Sequence, residues 1–189
     1  GNLVENIGFR AKTRREWDNA RPFQTDYYCS NWLLIGNTFK DWRYIFQIYP
    51  YTTGVFKGNV VERKGRGGMA FHVPRRWLIV GNFFKSERGI GISDVGYRQS
   101  MRVTIKGNIF VNGLTIKGGM RRGRIVNNIF IGRGLRFRRG MMPHIRCEGL
   151  VVANNVFYDI SDAAVEIPAN SRHVVDLTLK NNIFANVRG

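Results

Sequence analysis

Cysteine, acidic side chains and long apolar runs are all scarce in this sequence, and each shortage closes a route. Cys29 and Cys147 are the only two cysteines in 189 residues. So far apart, they offer neither a disulfide framework nor metal-ligand spacing; they read as buried or free thiols and leave the compartment open. No apolar run approaches the roughly 18 residues of a membrane span, and the opening residues are not expected to act as a secretory leader. Acidic residues number 13 against 30 Lys and Arg, a formal net charge of +17. That balance draws polyanions: nucleic acid, an anionic membrane surface or an acidic polysaccharide. Familiar catalytic signatures are also missing, with no phosphate-binding glycine loop, no HExxH and no GxSxG nucleophile elbow.

What is present is one unit, restated along the chain. Leu150 to Phe157 reads LVVANNVF, Leu177 to Phe184 LTLKNNIF, Val103 to Phe110 VTIKGNIF, Trp77 to Phe84 WLIVGNFF and Trp32 to Phe39 WLLIGNTF. Its second Asn falls at Asn2, Asn37, Asn59, Asn82, Asn108, Asn128, Asn155 and Asn182; after a first interval of 35 residues the spacing is 20 to 27. Recurrence of this kind marks a solenoid, in which each repeat buries its apolar face only against its neighbours. The unit is short, alternating and β-branched, which argues strand rather than helix. The closing Gly-Asn or Asn-Asn pair tolerates left-handed backbone and turns the chain sharply. An Asn at the same place in every coil predicts a hydrogen-bonded side-chain ladder.

A second strand follows each turn: Phe46-Gln47-Ile48, Phe71-His72-Val73, Ile90-Gly91-Ile92, Leu114-Thr115-Ile116, Leu135-Arg136-Phe137 and Val165-Glu166-Ile167. Apolar, variable, apolar is the pattern of a strand with one buried face and one wet face. Together the two strands resemble the right-handed parallel β-helix of the pectate-lyase-like superfamily, over nearly the whole chain. A leucine-rich repeat, the structural rival, spaces its leucines more tightly and regularly. The expected architecture is therefore all-β: a single right-handed parallel β-helix domain over residues 1–189, in about seven coils of 20–27 residues. Opening and stopping within repeats, the chain reads as a piece of a longer solenoid capped elsewhere.

Two faces stand out. In the motif strand, Leu34, Phe56, Ile79, Ile105, Ile125, Val152 and Leu179 are expected to point inward. Leu33, Ile35, Val55, Leu78, Val80, Val126, Val151 and Ala153 then point outward, an apolar surface that a flanking segment or another subunit would cover. The insertion from Glu5 to Ser30 carries a basic tip, Lys12 to Pro22, suited to a loop leaving the coil. The second strand is more polar. Its expected outward column runs Gln47, His72, Gly91, Thr115, Arg136, Glu166. Just beyond lie Tyr49, Arg75, Arg76, Asp94, Tyr97, Arg98, Lys117, Arg121, Arg122, Arg138 and Arg139. This is the face expected to bind a ligand, with Gly91 a sugar-sized dent between His72 and Thr115.

Glycoside hydrolysis needs two carboxylates about 5 to 9.5 Å apart. Asp94 and Glu166 lie three coils apart, about 14 Å, and Glu166 is expected to pair with Arg136 instead. β-Elimination on a uronic-acid polymer asks for cations to neutralise the sugar carboxylate, a base and an acid. His72, Arg98, Lys117 and Arg136 are the candidate cations and bases, and Tyr97 the candidate acid. Gln47, Tyr49, Arg75, Arg76, Gly91, Asp94, Thr115 and Glu166 are the candidate substrate contacts. The resemblance implies a Lys or Arg base, often Ca²⁺ on acidic side chains, and an extracellular or cell-surface setting. No acidic cluster for Ca²⁺ is visible in the sequence, and no metal ligand is assigned. The Lys and Arg-His-Gly pattern of chondroitinase-B and alginate-lyase relatives is missing too. The expected activity is that of a polysaccharide lyase on an acidic glycan. The alternatives are a non-catalytic β-helix, such as a tailspike-like adhesin gripping acidic glycans, and then a glycoside hydrolase. Nucleic acid is a lesser rival, because the basic residues fall on turns throughout the chain.

Overall fold

In the computed structural model the restated unit is a strand, a sharp turn and a second strand. The structure describes residues 3–5, 30–40, 52–63, 69–72, 74–93, 100–139, 145–169 and 172–188, with 3–5, Met69, Ala70 and His72 as backbone only. Most of the Glu5 to Ser30 insertion therefore lies outside the described residues. The units stack as a parallel solenoid with three sheets, of nine, eight and five strands, and every named strand pair is parallel. The motif sheet carries Trp32–Ile35, Gly54–Lys57, Leu78–Val80, Thr104–Lys106, Arg124–Val126 and Cys147–Ala153, with Val174–Lys180 beside the last. The second sheet, after the turn, runs from Leu3–Glu5 to Ile183–Val187. The third holds Met69–His72, Ile90–Ser93, Leu114–Lys117, Leu135–Arg138 and Val165–Glu166, so five coils show all three faces among the described residues.

The turn works as its residues dictate. The residue before each ladder Asn is left-handed: Gly36, Gly58, Gly81 and Gly107 at φ 61 to 66°, then Asn127, Asn154 and Asn181 at 53 to 57°. Only Gly and Asn adopt that backbone cheaply. The ladder then forms coil by coil, each Asn giving its backbone N–H and its Nδ2 to the Oδ1 of the next. For Asn82 to Asn108 these bonds are both 2.9 Å. The remaining Nδ2 hydrogen reaches back to a strand carbonyl, as from Asn82 to Phe56 at 2.8 Å. Six links join Asn37, Asn59, Asn82, Asn108, Asn128, Asn155 and Asn182. These buried amides are satisfied, which is the condition for burying them at all.

Aromatic rings follow at a fixed offset and stack inside. Phe84, Phe110, Phe130 and Phe157 lie 4.8 to 5.2 Å apart, centroid to centroid, and nearly parallel. One coil has Val61 where its neighbours have Phe. Phe56, from the motif strand of that coil, fills the space and stacks on Phe39 at 6.3 Å and Phe84 at 5.9 Å. The expected inward residues Phe56, Ile79, Ile105, Ile125 and Val152 are all buried. Leu179 and Phe184 are not, at 47% and 54% exposed. They lie in the last described coil, where Phe184 stacks on Phe157 from one side only. On the outer face Leu33 and Ile35 are exposed, whereas Ala153, expected outside, is buried.

A second corner has no counterpart in the expected turn chemistry. Arg76, Arg102 and Arg122 hold φ of 51 to 52°, a conformation that costs a residue with a Cβ about 1–2 kcal/mol. The backbone N–H of each is bonded at 2.8 Å to the carbonyl of Met101, Arg121 and Glu148 respectively, in the neighbouring coil. Gly149 occupies the same corner one coil further on, at φ 63°.

Candidate functional site

The outer surface of the third sheet carries the site the sequence points to. Strand alternation buries Ile90 and Ile92, Leu114 and Ile116, and Leu135 and Phe137, and turns the residues between them outward. Parallel pairing then aligns the outward residues in columns. One column reads Ala70, Gly91, Thr115, Arg136, Glu166. The neighbouring column, two residues along each strand, reads His72, Ser93, Lys117, Arg138.

His72 is therefore corrected. It pairs with Ser93, not Gly91, and Ala70 takes the place expected for it beside Gly91. The dent at Gly91 lies between Ala70 and Thr115. The slip is two residues, one full period of strand alternation.

Arg136 and Glu166 meet as expected, with Arg136 Nε 3.3 Å from Glu166 Oε2. The pair belongs to a larger cluster. Arg138 Nη2 donates to Glu166 Oε2 at 2.8 Å, and Arg136 Nη2 donates to Asp162 Oδ2. The Arg138 hydrogen bond holds the Glu166 carboxyl below the ordinary carboxylate range; partial burial opposes it, and the charges of Arg138 and Arg136 reinforce it. Asp162 lies outside the strands. It sits in the bend between Val156–Ile160 and Val165–Glu166 and reaches back to Arg136. Asp159 lies within the strand Val156–Ile160, where the register shifts.

Lys117 closes the strand Leu114–Lys117 and is exposed. Among the described residues no carboxylate pairs with it. Ser93 and Arg138 flank it in the adjoining coils. Of the remaining sequence candidates, Gln47, Tyr49, Asp94, Tyr97 and Arg98 lie outside the described residues. Among the described residues, no three His, Cys, Asp or Glu side chains cluster closely enough to hold a metal ion.

Arg75 and Arg76 are not on this sheet. They lie at the left-handed corner leading into the motif strand, where Thr53, Arg75, Arg76, Met101 and Arg102 line a cavity of about 320 Å³. Arg102 escaped the sequence reading. Its signal is an offset: Arg76, Arg102 and Arg122 each stand six residues before the ladder Asn of their coil. On the ledge beside this corner Arg121 is tied to Glu148 at 2.9 Å.

The family described as right-handed β-helix region matches residues 27–189. No match was found among curated proteins or solved structures.

Proposed function

The chain belongs to the right-handed β-helix family, and from that premise we propose that it engages an acidic, uronic-acid-bearing polysaccharide along the outer surface of its third sheet, with β-elimination as the chemistry. The observation that carries this reading is the pair of aligned outward columns. They set Lys117 beside Arg138 on adjacent coils about 4.8 Å apart, with Arg136 two residues back on the same strand as Arg138. A pair of cations at that pitch, with a third beside them, suits the carboxylates of neighbouring sugars in an acidic polymer. Neutralising the carboxylate acidifies the neighbouring C5 hydrogen, which is the first requirement of elimination. Lys117, unpaired among the described residues, is the candidate base, and the paired Arg136 and Arg138 are candidate carboxylate contacts. The base removes the C5 proton, the electron pair forms the C4–C5 double bond, and the glycosidic oxygen leaves with a proton from an acid.

One observation favours a second reading. Arg136 and Arg138 are already committed to Asp162 and Glu166, an arrangement that stiffens a binding surface and needs no turnover. On that reading the chain grips acidic glycan without cleaving it.

The test is incubation with a panel of uronic-acid polymers, following both binding and the ultraviolet absorbance of unsaturated uronic products. Elimination predicts product, with Lys117→Ala lowering the rate by about a hundredfold or more. Binding with no product selects the non-catalytic reading. Failure to bind any uronic polymer overturns both.

A further inference from the structure

We propose that the corner formed by Arg75, Arg76 and Arg102 is a second anion site, which takes a sulfate or phosphate group carried on a larger molecule. It lies away from the third sheet and does not depend on the polyuronate reading.

Three observations carry the site. First, the three arginines line one open pocket of about 320 Å³, together with Met101 and Thr53. Thr53 Oγ1 accepts the backbone N–H of Asn31 at 3.1 Å, so its hydroxyl hydrogen is left to donate. Second, Arg76 and Arg102 hold left-handed backbone at φ 51 and 52°. The ladder corner of the same coils uses Gly81 and Gly107 for that conformation, and Gly149 shows that glycine fits the arginine corner as well. The left-handed corner belongs to the fold, since Arg122 and Asp176 repeat it outside the pocket, but two successive coils fill it with arginine where glycine would sit without strain. Third, of the residues lining the pocket Arg76 and Arg102 make no ion pair with a carboxylate among the described residues, whereas Arg121, Arg136 and Arg138 elsewhere each have one.

The chemistry of the donors selects the ligand. A guanidinium presents paired N–H groups that match two oxygens of one anion. Arginines lining one pocket offer more such pairs than the two oxygens of a single carboxylate accept. A sulfate or phosphate ester keeps three free oxygens and fits the donor set. The pocket also exceeds what a bare ion fills, since one water needs only about 10–15 Å³ on the same measure. That leaves room for the sugar or other carrier that bears the ester.

The experiment is isothermal titration at constant ionic strength, balanced with sodium chloride. The probes are inorganic sulfate, inorganic phosphate, a hexose sulfate and a hexose phosphate. The parent protein is expected to bind the oxyanions in preference to chloride, and a hexose ester more tightly than the inorganic ion. Arg76→Gly and Arg102→Gly should each weaken binding at least about tenfold. Both should melt at or above the parent temperature, because glycine relieves the left-handed corner. Arg102→Lys, which keeps the charge but loses the fork, should also weaken binding. Lys85→Ala, exposed on the second sheet, should leave it unchanged. Equal binding of inorganic ion and hexose ester would keep the site but make the free ion its ligand. The proposal is overturned if the oxyanions bind no better than chloride, or if both glycine variants bind as the parent does. Polyuronate binding measured on the same variants separates this site from the third sheet.

Discussion

The Oδ1 of Asn128 accepts both the backbone N–H and the Nδ2 of Asn108, at 2.9 and 3.0 Å. Both residues are about 1% exposed, so water cannot replace what the carboxamide supplies. Asn128 also donates back to the carbonyl of Ile105 at 3.0 Å. Asn128→Ala therefore strands a buried N–H, a buried amide hydrogen and a carbonyl at once. Each such group costs about 1–3 kcal/mol. The variant should lose several kcal/mol in urea unfolding, and a loss below about 1 kcal/mol would mean that the ladder decorates the solenoid rather than holding it.

The ring of Phe130 lies between Phe110 and Phe157, at 5.2 and 4.8 Å, and is fully buried. Removing it opens a cavity between two coils that cannot collapse without breaking the register of their neighbours. Phe130→Ala should cost about 3–5 kcal/mol by denaturant unfolding. Phe184→Ala, at a ring 54% exposed, should cost much less.

The contrast between those two rings was only half legible in the sequence. A fixed offset from the ladder Asn places every Phe inside, but cannot say which coil has a neighbour on both sides. The slip at His72 has a similar origin. Met69-Ala70-Phe71 and Phe71-His72-Val73 both read apolar, variable, apolar. A one-residue error would have turned the strand inside out and exposed itself; a two-residue error preserves the face and leaves no trace in the pattern. Arg136 beside Glu166 was legible, because both sit at the same offset in successive coils. Asp162 was not, because it reaches Arg136 from a bend that no period describes. The arginine corner was hidden for another reason. Left-handed corners are sought as Gly or Asn, and here the chain places Arg.

The Arg136–Glu166–Arg138 cluster makes stability depend on pH in a stated direction. The folded Glu166 carboxyl titrates below its unfolded value of about 4.3. Its contribution is complete above the unfolded value and is lost as pH falls through the folded one. Glu166→Gln keeps the shape and removes the charge. It should melt below the parent at neutral pH, by about 1 kcal/mol or less for a partly exposed pair, and the gap should close in acid. A gap that persists unchanged at low pH would show that packing, not charge, is responsible.

Gly91 tests where on the third sheet the polymer lies. It sits between buried Ile90 and Ile92 with its outward side toward solvent, flanked by Ala70 and Thr115. A leucine there points away from the core, and strand glycine is itself mildly destabilising, so Gly91→Leu should fold normally. Polyuronate affinity should nevertheless fall about tenfold, the equivalent of 1.4 kcal/mol. Unchanged affinity in a folded variant would move the bound chain off this part of the sheet.

The measurement that bears most directly on polyuronate recognition is the binding of polygalacturonate and of a neutral glucan across a range of sodium chloride concentrations, in the parent and in Lys117→Ala. Recognition through exposed cations predicts binding to the polyuronate alone, weakening steeply as salt screens the attraction, with Lys117→Ala weaker at low salt and less sensitive to it. Equal binding of the neutral glucan with no dependence on salt would contradict an acidic glycan as the ligand.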